Sequence, residues 1–115
     1  MNPDDTILDA NVSSLKLLHE GSGEIHVPGN PGPGIQTGVA TIPHGYGSSE
    51  LLFQVATGSG YLGGGSVVPF YTNDGRLLMY GRIDSTNLYI VVEYQSAGDG
   101  WDAFNQDYSY RIFIP

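Results

Sequence analysis

The sequence predicts an all-β protein, an antiparallel β-sandwich or jelly roll of about eight strands. Three observations support this class. Short runs rich in β-branched and aromatic residues recur along the chain, and turn-forming residues separate them. The 115 residues include 17 glycines and seven prolines. Every window of about a dozen residues also contains a Gly, a Pro or a β-branched residue, which disfavours long helices. A small closed barrel is the alternative arrangement.

Each predicted strand follows from its own apolar run. We expect strands at about 15–19, 24–28, 36–42, 51–57, 66–72, 77–83, 87–95 and 108–114. In the seventh run the even-numbered residues from Leu88 to Tyr94 share one face, and this more apolar set should face the core. The last run repeats the pattern with the even-numbered residues from Tyr108 to Ile114.

Turn residues specify the connections between these runs. Asn73-Asp74-Gly75 tolerates the positive φ angles of a tight hairpin, and residues 84–87 predict a four-residue hairpin loop. The segments 28–34 and 58–66 are predicted to be surface loops. Glycine spacing in 28–34 loses its period of three at once, which excludes a collagen helix.

Chain length favours one domain with an arm. The sandwich is expected over residues 15–115, because 115 residues is close to the commonest size of a single domain. Residues 1–14 are predicted to form an acidic N-terminal arm for assembly, and its only sizeable aliphatic anchors are Ile7, Leu8 and Val12. Three such side chains bury too little area to order the arm in an isolated monomer.

Charge and composition exclude several classes of partner. The net charge is −8, and four basic residues cannot form the positive stripe that binds nucleic acid. The same charge repels anionic lipid, and no apolar stretch approaches the roughly 20 residues that span a bilayer. We therefore expect no nucleic-acid or membrane partner. The N-terminus lacks the apolar region of a secretory signal, which predicts a protein made in a cytoplasm.

Catalytic, metal and cofactor sites are not predicted. The chain has no cysteine, so it has neither disulfides nor a thiolate metal site. The three histidines, His19, His26 and His44, show no helical metal-binding spacing, and no Gly-x-Ser-x-Gly elbow accompanies them. In a strand, His26 would project away from Ile25 and Val27, toward solvent or another subunit. We expect a protein that is not an enzyme and needs no cofactor.

An acidic loop is the remaining candidate for chemistry. Asp99, Asp102, Asn105 and Asp107 could hold Ca²⁺ or supply a pair of glycosidase carboxylates. Their order does not match an EF-hand, which also needs a terminal glutamate. The favoured interpretation is a solvated loop whose Trp101 and Phe104 pack against the sandwich.

The segment "TIPHGYGSSELLFQV" at 41–55 indicates a corner between two strands. Pro43 ends the first strand, and Gly45 allows a sharp reversal. His44 is predicted to hydrogen-bond within this corner and to have a structural role.

Aromatic residues beside loops are the candidate ligand-binding residues: Tyr46, Tyr61, Tyr71 and Trp101. Amphipathic rings near carboxylates and amides are typical of sugar-binding surfaces and also of protein interfaces. The sequence leaves both possibilities open.

Three motifs in order carry a resemblance to a known family. They are "VATIPHGYG", "IDSTNLYIVVEY" and the terminal "YSYRIFI", with "LKLLHEGSGEIHVP" upstream. Over roughly residues 15–114 the chain resembles a small β-domain of tailed-phage and prophage virion proteins. That domain has an IPHG corner (here 42–47), a DSTNLYI hairpin (84–90) and a closing strand (108–113). The upstream motif resembles its leading hairpin. The chain also resembles the trimeric sandwiches of H-type lectins. It departs from the pattern at Tyr46, where the family has leucine, and in the glycine-rich loop 58–66.

The resemblance implies a function in a virus particle. It implies a structural protein of a bacteriophage virion, either a capsid decoration protein or one associated with the tail or fibre. Such a protein forms a homo-oligomer, preferably a trimer, and binds a larger capsid or tail protein. It serves adhesion and host attachment. The alternative is a lectin-like, carbohydrate-binding module that recognises a host surface glycan. A hydrolase is the least favoured reading.

Overall fold

Two antiparallel sheets form the fold in the computed structural model, which describes residues 15–47, 50–60, 64–72, 75–96, 100 and 102–115. Within these residues the strands are β1 Lys16–Val27, β2 Gly34–Pro43, β3 Leu52–Gly60, β4 Phe70–Tyr71, β5 Leu77–Ile83, β6 Asn87–Ser96 and β7 Phe104–Ile114. One sheet has three strands in the order β1-β7-β3, and the other has four in the order β2-β6-β5-β4. The predicted all-β antiparallel sandwich is confirmed.

The core lies between the central strands β6 and β7. Leu88, Ile90 and Val92 of β6 are fully buried, which confirms the face predicted for this strand. Tyr108 and Tyr110 of β7 are also buried, and Ile112 is fully so. Strict alternation places these residues on one side of each strand, and burying them drives the two sheets together.

The predicted leading hairpin is wrong. The predicted strands 15–19 and 24–28 merge into one continuous strand, β1, from Lys16 to Val27. Gly21 and Gly23 do not form a turn; they lie opposite Tyr110 and Tyr108 of β7. A Cβ on Gly21 would lie 2.8 Å from the Tyr110 hydroxyl oxygen, and one on Gly23 would lie 2.5 Å from that of Tyr108. The two glycines leave room for tyrosine rings that cover the edge strand.

The predicted strand 66–72 is mostly a crossing segment. Its ladder in the four-stranded sheet is confined to Phe70 and Tyr71. Before that, residues 65–68 pair with the outer edge of β3: Thr57 N–H donates to the Ser66 carbonyl (2.8 Å), and Val68 N–H donates to the Val55 carbonyl (3.0 Å). The chain then passes through the cis Val68-Pro69 peptide toward the second sheet. The edge of β3 is therefore covered from Val55 to Thr57.

The opposite side of the sandwich closes by direct contact between β1 and β2. A Cβ on Gly38 of β2 would lie 2.4 Å from the carbonyl oxygen of His26 and 2.6 Å from Cγ2 of Ile25. Only a residue without a side chain permits this approach.

A buried amide stabilises a bulge between β3 and β7. The register shifts between Thr57 and Gly60, so that β3 contains one extra residue. Gln106 of β7 is fully buried at this position. Its Nε2 group donates to the carbonyls of Gly58 (3.1 Å), Ser59 (3.3 Å) and Asp107 (3.0 Å).

The loops gather at two ends. At the corner end, β2 ends, β3 begins, and the β5–β6 hairpin turns. At the loop end, β1 passes to β2 and β6 passes to β7. Of the predicted 73–75 turn, Asn73 and Asp74 lie outside the described residues. Gly75 has a φ of 72° and donates to the Thr72 carbonyl at 2.8 Å.

Candidate functional site

His44 joins two segments at the corner end. Its backbone N–H donates to the Thr86 carbonyl at 3.0 Å. Its ring Nε2–H donates to the Asp84 carbonyl at 2.8 Å, and its Nδ1 accepts from the Tyr46 N–H at 3.1 Å. This network assigns the neutral tautomer that carries its proton on Nε2. With both ring nitrogens engaged, the imidazole crosslinks positions 40 residues apart.

Asp84 organises the β5–β6 hairpin. Its Oδ1 accepts from the N–H groups of Asn87 (2.7 Å) and Thr86 (2.9 Å), and its Oδ2 accepts from the Tyr89 hydroxyl (2.9 Å). The backbone N–H of Asn87, followed by that of Thr86, lowers the pKa of Asp84 from 3.8 to about 2. This carboxylate is an ionised turn-forming group.

Two of the motifs that carry the family resemblance are therefore in contact. The IPHG corner and the DSTNLYI hairpin meet through the two hydrogen bonds from His44 to the carbonyls of Asp84 and Thr86. The third motif, 108–113, lies in β7, at the centre of the other sheet. All three motifs occupy positions that specify the fold.

The two aromatic candidates that the structure describes lie apart. Tyr46 is 46% exposed at the corner end, whereas Tyr71 is 69% exposed on β4, toward the loop end. Tyr61 and Trp101 lie outside the described residues, as do the arm residues Ile7, Leu8 and Val12. The structure thus separates the two rings of this set that it describes.

The other histidines and acids are dispersed. His26 is exposed, as predicted, and its Nδ1 lies 2.8 Å from Oδ1 of Asn105. His19 packs edge-on against the Tyr110 ring, with the ring centroids 5.3 Å apart. Across the described ranges, no group of three His, Asp or Glu side chains is placed to hold a metal ion. Asp99 of the acidic loop lies outside those ranges.

A cleft of about 800 Å³ opens at the loop end between residues 29–31 on one side and residues 100 and 102–104 on the other. Its polar lining includes Asn30 and Asp102, and its apolar lining includes the ring of Phe104. That ring packs edge-on against the Tyr94 ring, with the ring centroids 6.0 Å apart. No sequence pattern indicates this cleft, because the two segments are some 70 positions apart and no local pattern connects them.

Another candidate surface is the outward side of the four-stranded sheet, here called the four-stranded face. Three rows of paired residues cross it side by side: a central row of Val39, Val91 and Tyr80, an arginine row of Thr41, Tyr89 and Arg82, and a glutamate row of Thr37, Glu93 and Leu78. Ile35 extends the face at the loop end, and Tyr71 extends the glutamate row onto β4 through its pairing with Leu78.

Several apolar residues of this face are open to solvent beside the polar residues of the flanking rows. Ile35 is 62% exposed and Val39 is 52% exposed. Val91 is only 4% exposed although it lies outside the core, because its cross-strand partners Val39 and Tyr80 shield it. The face therefore has a buried residue, Val91, at its centre and exposed apolar residues around it.

The three rows carry balanced charges, and a second arginine, Arg76, lies beyond the glutamate row, where its carbonyl accepts from the Gln95 N–H at 2.7 Å. In the rows defined above there is one arginine and one glutamate. The Arg82 guanidinium lies over the Tyr89 ring, 4.1 Å from its centroid, and the Tyr80 hydroxyl donates to Glu93 at 3.3 Å.

The outward side of the three-stranded sheet is different. Glu20 pairs with Arg111 at 3.4 Å, but Glu24 lies directly opposite Asp107. Like charges in cross-strand positions repel one another. Of the two sheet faces, the four-stranded one is thus better suited to contact with another protein.

In comparisons with known proteins, no family model, no curated sequence and no solved structure matches the chain. Within the part of the chain that the structure describes, no helix has the length and apolar character needed to cross a membrane.

Proposed function

We propose that this chain is a structural protein of a bacteriophage virion, which acts by homo-oligomeric assembly and surface adhesion. The observation that carries the proposal is the four-stranded face, where Ile35, Val39 and Tyr71 are each more than half exposed. Exposed apolar side chains gathered on one sheet face are typical of a protein-protein contact. The resemblance of the corner, hairpin and closing strand to virion β-domains supplies the biological setting.

The charge of the chain supports the choice of this face. Copies of a protein with a net charge of −8 repel one another, so contact is least costly where acidic groups are few. Glu93 is the one acid in the three rows, and Arg82 on the neighbouring strand balances it.

The proposal includes partners and a location. The protein would be made in the host cytoplasm and would join the particle as a capsid decoration protein or a tail or fibre component. There it would bind copies of itself and a larger virion protein. It would act by binding and not by catalysis.

Quantitative mass spectrometry of purified particles tests the proposal. The particles are those of the phage or induced prophage that encodes the chain. We expect the protein at a fixed stoichiometry to the major capsid or tail protein, and it should persist through gradient purification. Complete particles that lack the chain would refute the virion assignment.

A carbohydrate-binding module is the second candidate function. The loop-end cleft favours it, because Asn30 and Asp102 place an amide and a carboxylate beside the Phe104 ring. Glycan-array binding by the purified protein, followed by calorimetry on any hit, tests this candidate. Asp102→Ala should abolish binding. The control Glu24→Ala, which removes an exposed acid from the three-stranded sheet, should leave it unchanged.

A further inference from the structure

We propose that the four-stranded face binds the same face of a second copy of this chain, related by a twofold axis. This inference rests on the self-assembly in the proposed function, and it names the surface, the partner and the symmetry. It follows from the order of the rows on the face, from the charges in them and from the area they cover.

The rows are self-complementary about the central one. The arginine row and the glutamate row flank the row of Val39, Val91 and Tyr80 at equal distances on either side. A twofold axis that lies in the interface, perpendicular to the strands and over the central row, exchanges the two flanking rows. Each copy then places Arg82 in the glutamate row of its partner, next to Glu93.

The other simple arrangement is less favourable. A twofold axis parallel to the strands lays every row over its own copy. Each Arg82 would then face the arginine row of the partner, and each Glu93 would face the glutamate row. Opposite charges across an interface fix its register, whereas like charges disfavour it. The charge pattern therefore selects the first arrangement.

The area of the face is sufficient for a specific contact. β2 and β6 each have 10 residues and β5 has seven, so the face is about 33 Å long at β2 and β6 and about 15 Å wide over these three strands. Two such faces bury on the order of 1,000 Å² in total, at the lower limit of specific interfaces. We expect a reversible dimer with a dissociation constant in the micromolar range.

The three-stranded sheet does not offer an equivalent contact. Its outward side places Glu24 opposite Asp107, with Glu20 two rows away beside Arg111. Two such surfaces would bring these acids together with too few cations to balance them. Its exposed apolar residues are Leu17 and Leu52, on either side of Phe113 at the corner end, and Val67, which pairs with Ala56 two rows further along.

Sedimentation velocity over a concentration series tests the inference with a matched pair of variants. Val39 and Leu52 are 52% and 49% exposed, both are in strands, and they lie on opposite sheets. Val39→Lys should raise the dissociation constant about tenfold or more, because it buries an unpaired charge at the contact. Leu52→Lys should leave it within about twofold of the wild-type value. Circular dichroism confirms that each variant is folded, and Ile35→Lys replaces Val39→Lys if the latter is not.

A charge exchange tests the orientation. Arg82→Glu and Glu93→Lys should each weaken the dimer, and the double variant should recover most of the lost affinity. No recovery would overturn the perpendicular twofold.

The following outcomes decide the dimer arrangement independently of the virion assignment. A wild-type protein that stays monomeric at high concentration overturns it, even if the chain is found in particles. A pure trimer overturns the twofold arrangement, and dissociation by Leu52→Lys alone overturns the choice of face. A dimer that follows the predicted pattern supports it, even if purified particles lack the chain.

Discussion

Replacing Gln106 with leucine tests whether a buried amide stabilises the bulge in β3. The substitution keeps a side chain of similar size but removes the group that donates to the carbonyls of Gly58, Ser59 and Asp107. Water does not reach this side chain, which is fully buried. After the substitution, these three carbonyl oxygens would have to accept from other donors or remain unpaired.

The expected cost follows from which acceptors water can reach. Ser59 is exposed, so its carbonyl can be hydrated after the change, whereas Gly58 and Asp107 are half-buried. Losing the amide and leaving one or two acceptors poorly satisfied should lower the free energy of unfolding by about 2–3 kcal/mol. A chain of this length has roughly 6–17 kcal/mol of net stability, so the effect is measurable and the variant still folds.

Urea denaturation at one fixed protein concentration measures the effect, because self-association shifts the midpoint with concentration. The matched control is Gln54→Leu, the same substitution at an exposed position on β3. It should change stability by less than about 0.5 kcal/mol. Equal effects from the two variants would refute the reasoning, because the loss would then come from the substitution itself and not from the buried hydrogen bonds.

Three further predictions concern glycine packing, the corner and acid stability. Gly38→Ala should destabilise the fold by about 1–3 kcal/mol in thermal or urea melts, because the new Cβ meets backbone atoms of β1; Gly32→Ala, with no neighbouring atom within 4 Å of its Cβ, is the neutral control. His44→Ala should lower the melting temperature by the equivalent of about 1 kcal/mol and leave any binding activity intact; a variant that melts like the wild type but loses binding would contradict the corner role. The pKa of Asp84 is depressed on folding, so its stabilisation is complete above its ordinary value of 3.8 and is lost as the pH falls through about 2. The Asp84→Asn variant should therefore be less stable than the wild type at neutral pH and should lose less stability over that acid range. Profiles of unfolding free energy against pH that run parallel for the variant and the wild type would argue against this.

Strand periodicity predicted the parts of the fold that depend on local pattern. The buried face of β6 follows from strict alternation, and the β5–β6 hairpin follows from its turn residues. Both features are encoded within about ten residues of sequence, so neither needs knowledge of distant neighbours.

Tertiary contacts determine the parts of the fold that the sequence predicted wrongly or did not indicate. Gly21 and Gly23 resemble a turn until the tyrosine rings of β7 are seen to occupy the space above them. The four-stranded face was missed because alternation shows that two faces differ but does not show that the second is also apolar. Val91 is an example: it is nearly as buried as a core residue, yet it lies on the outward side. The loop-end cleft joins segments that are far apart in sequence, so no local pattern indicates it.

The pairing of β1 with β7 sets how the domain responds to mechanical force. The first residue of β1, Lys16, lies opposite Ile114 at the end of β7, so both ends of the described chain emerge at the same end of one antiparallel ladder. A force applied between these two ends breaks the hydrogen-bonded pairs of the ladder one at a time. The force needed to unfold the domain in this direction is therefore small. A force applied between one end of the chain and the four-stranded face does not separate this ladder pair by pair from its open end. A domain that must hold under load would therefore be tethered through one terminus and through its sheet face.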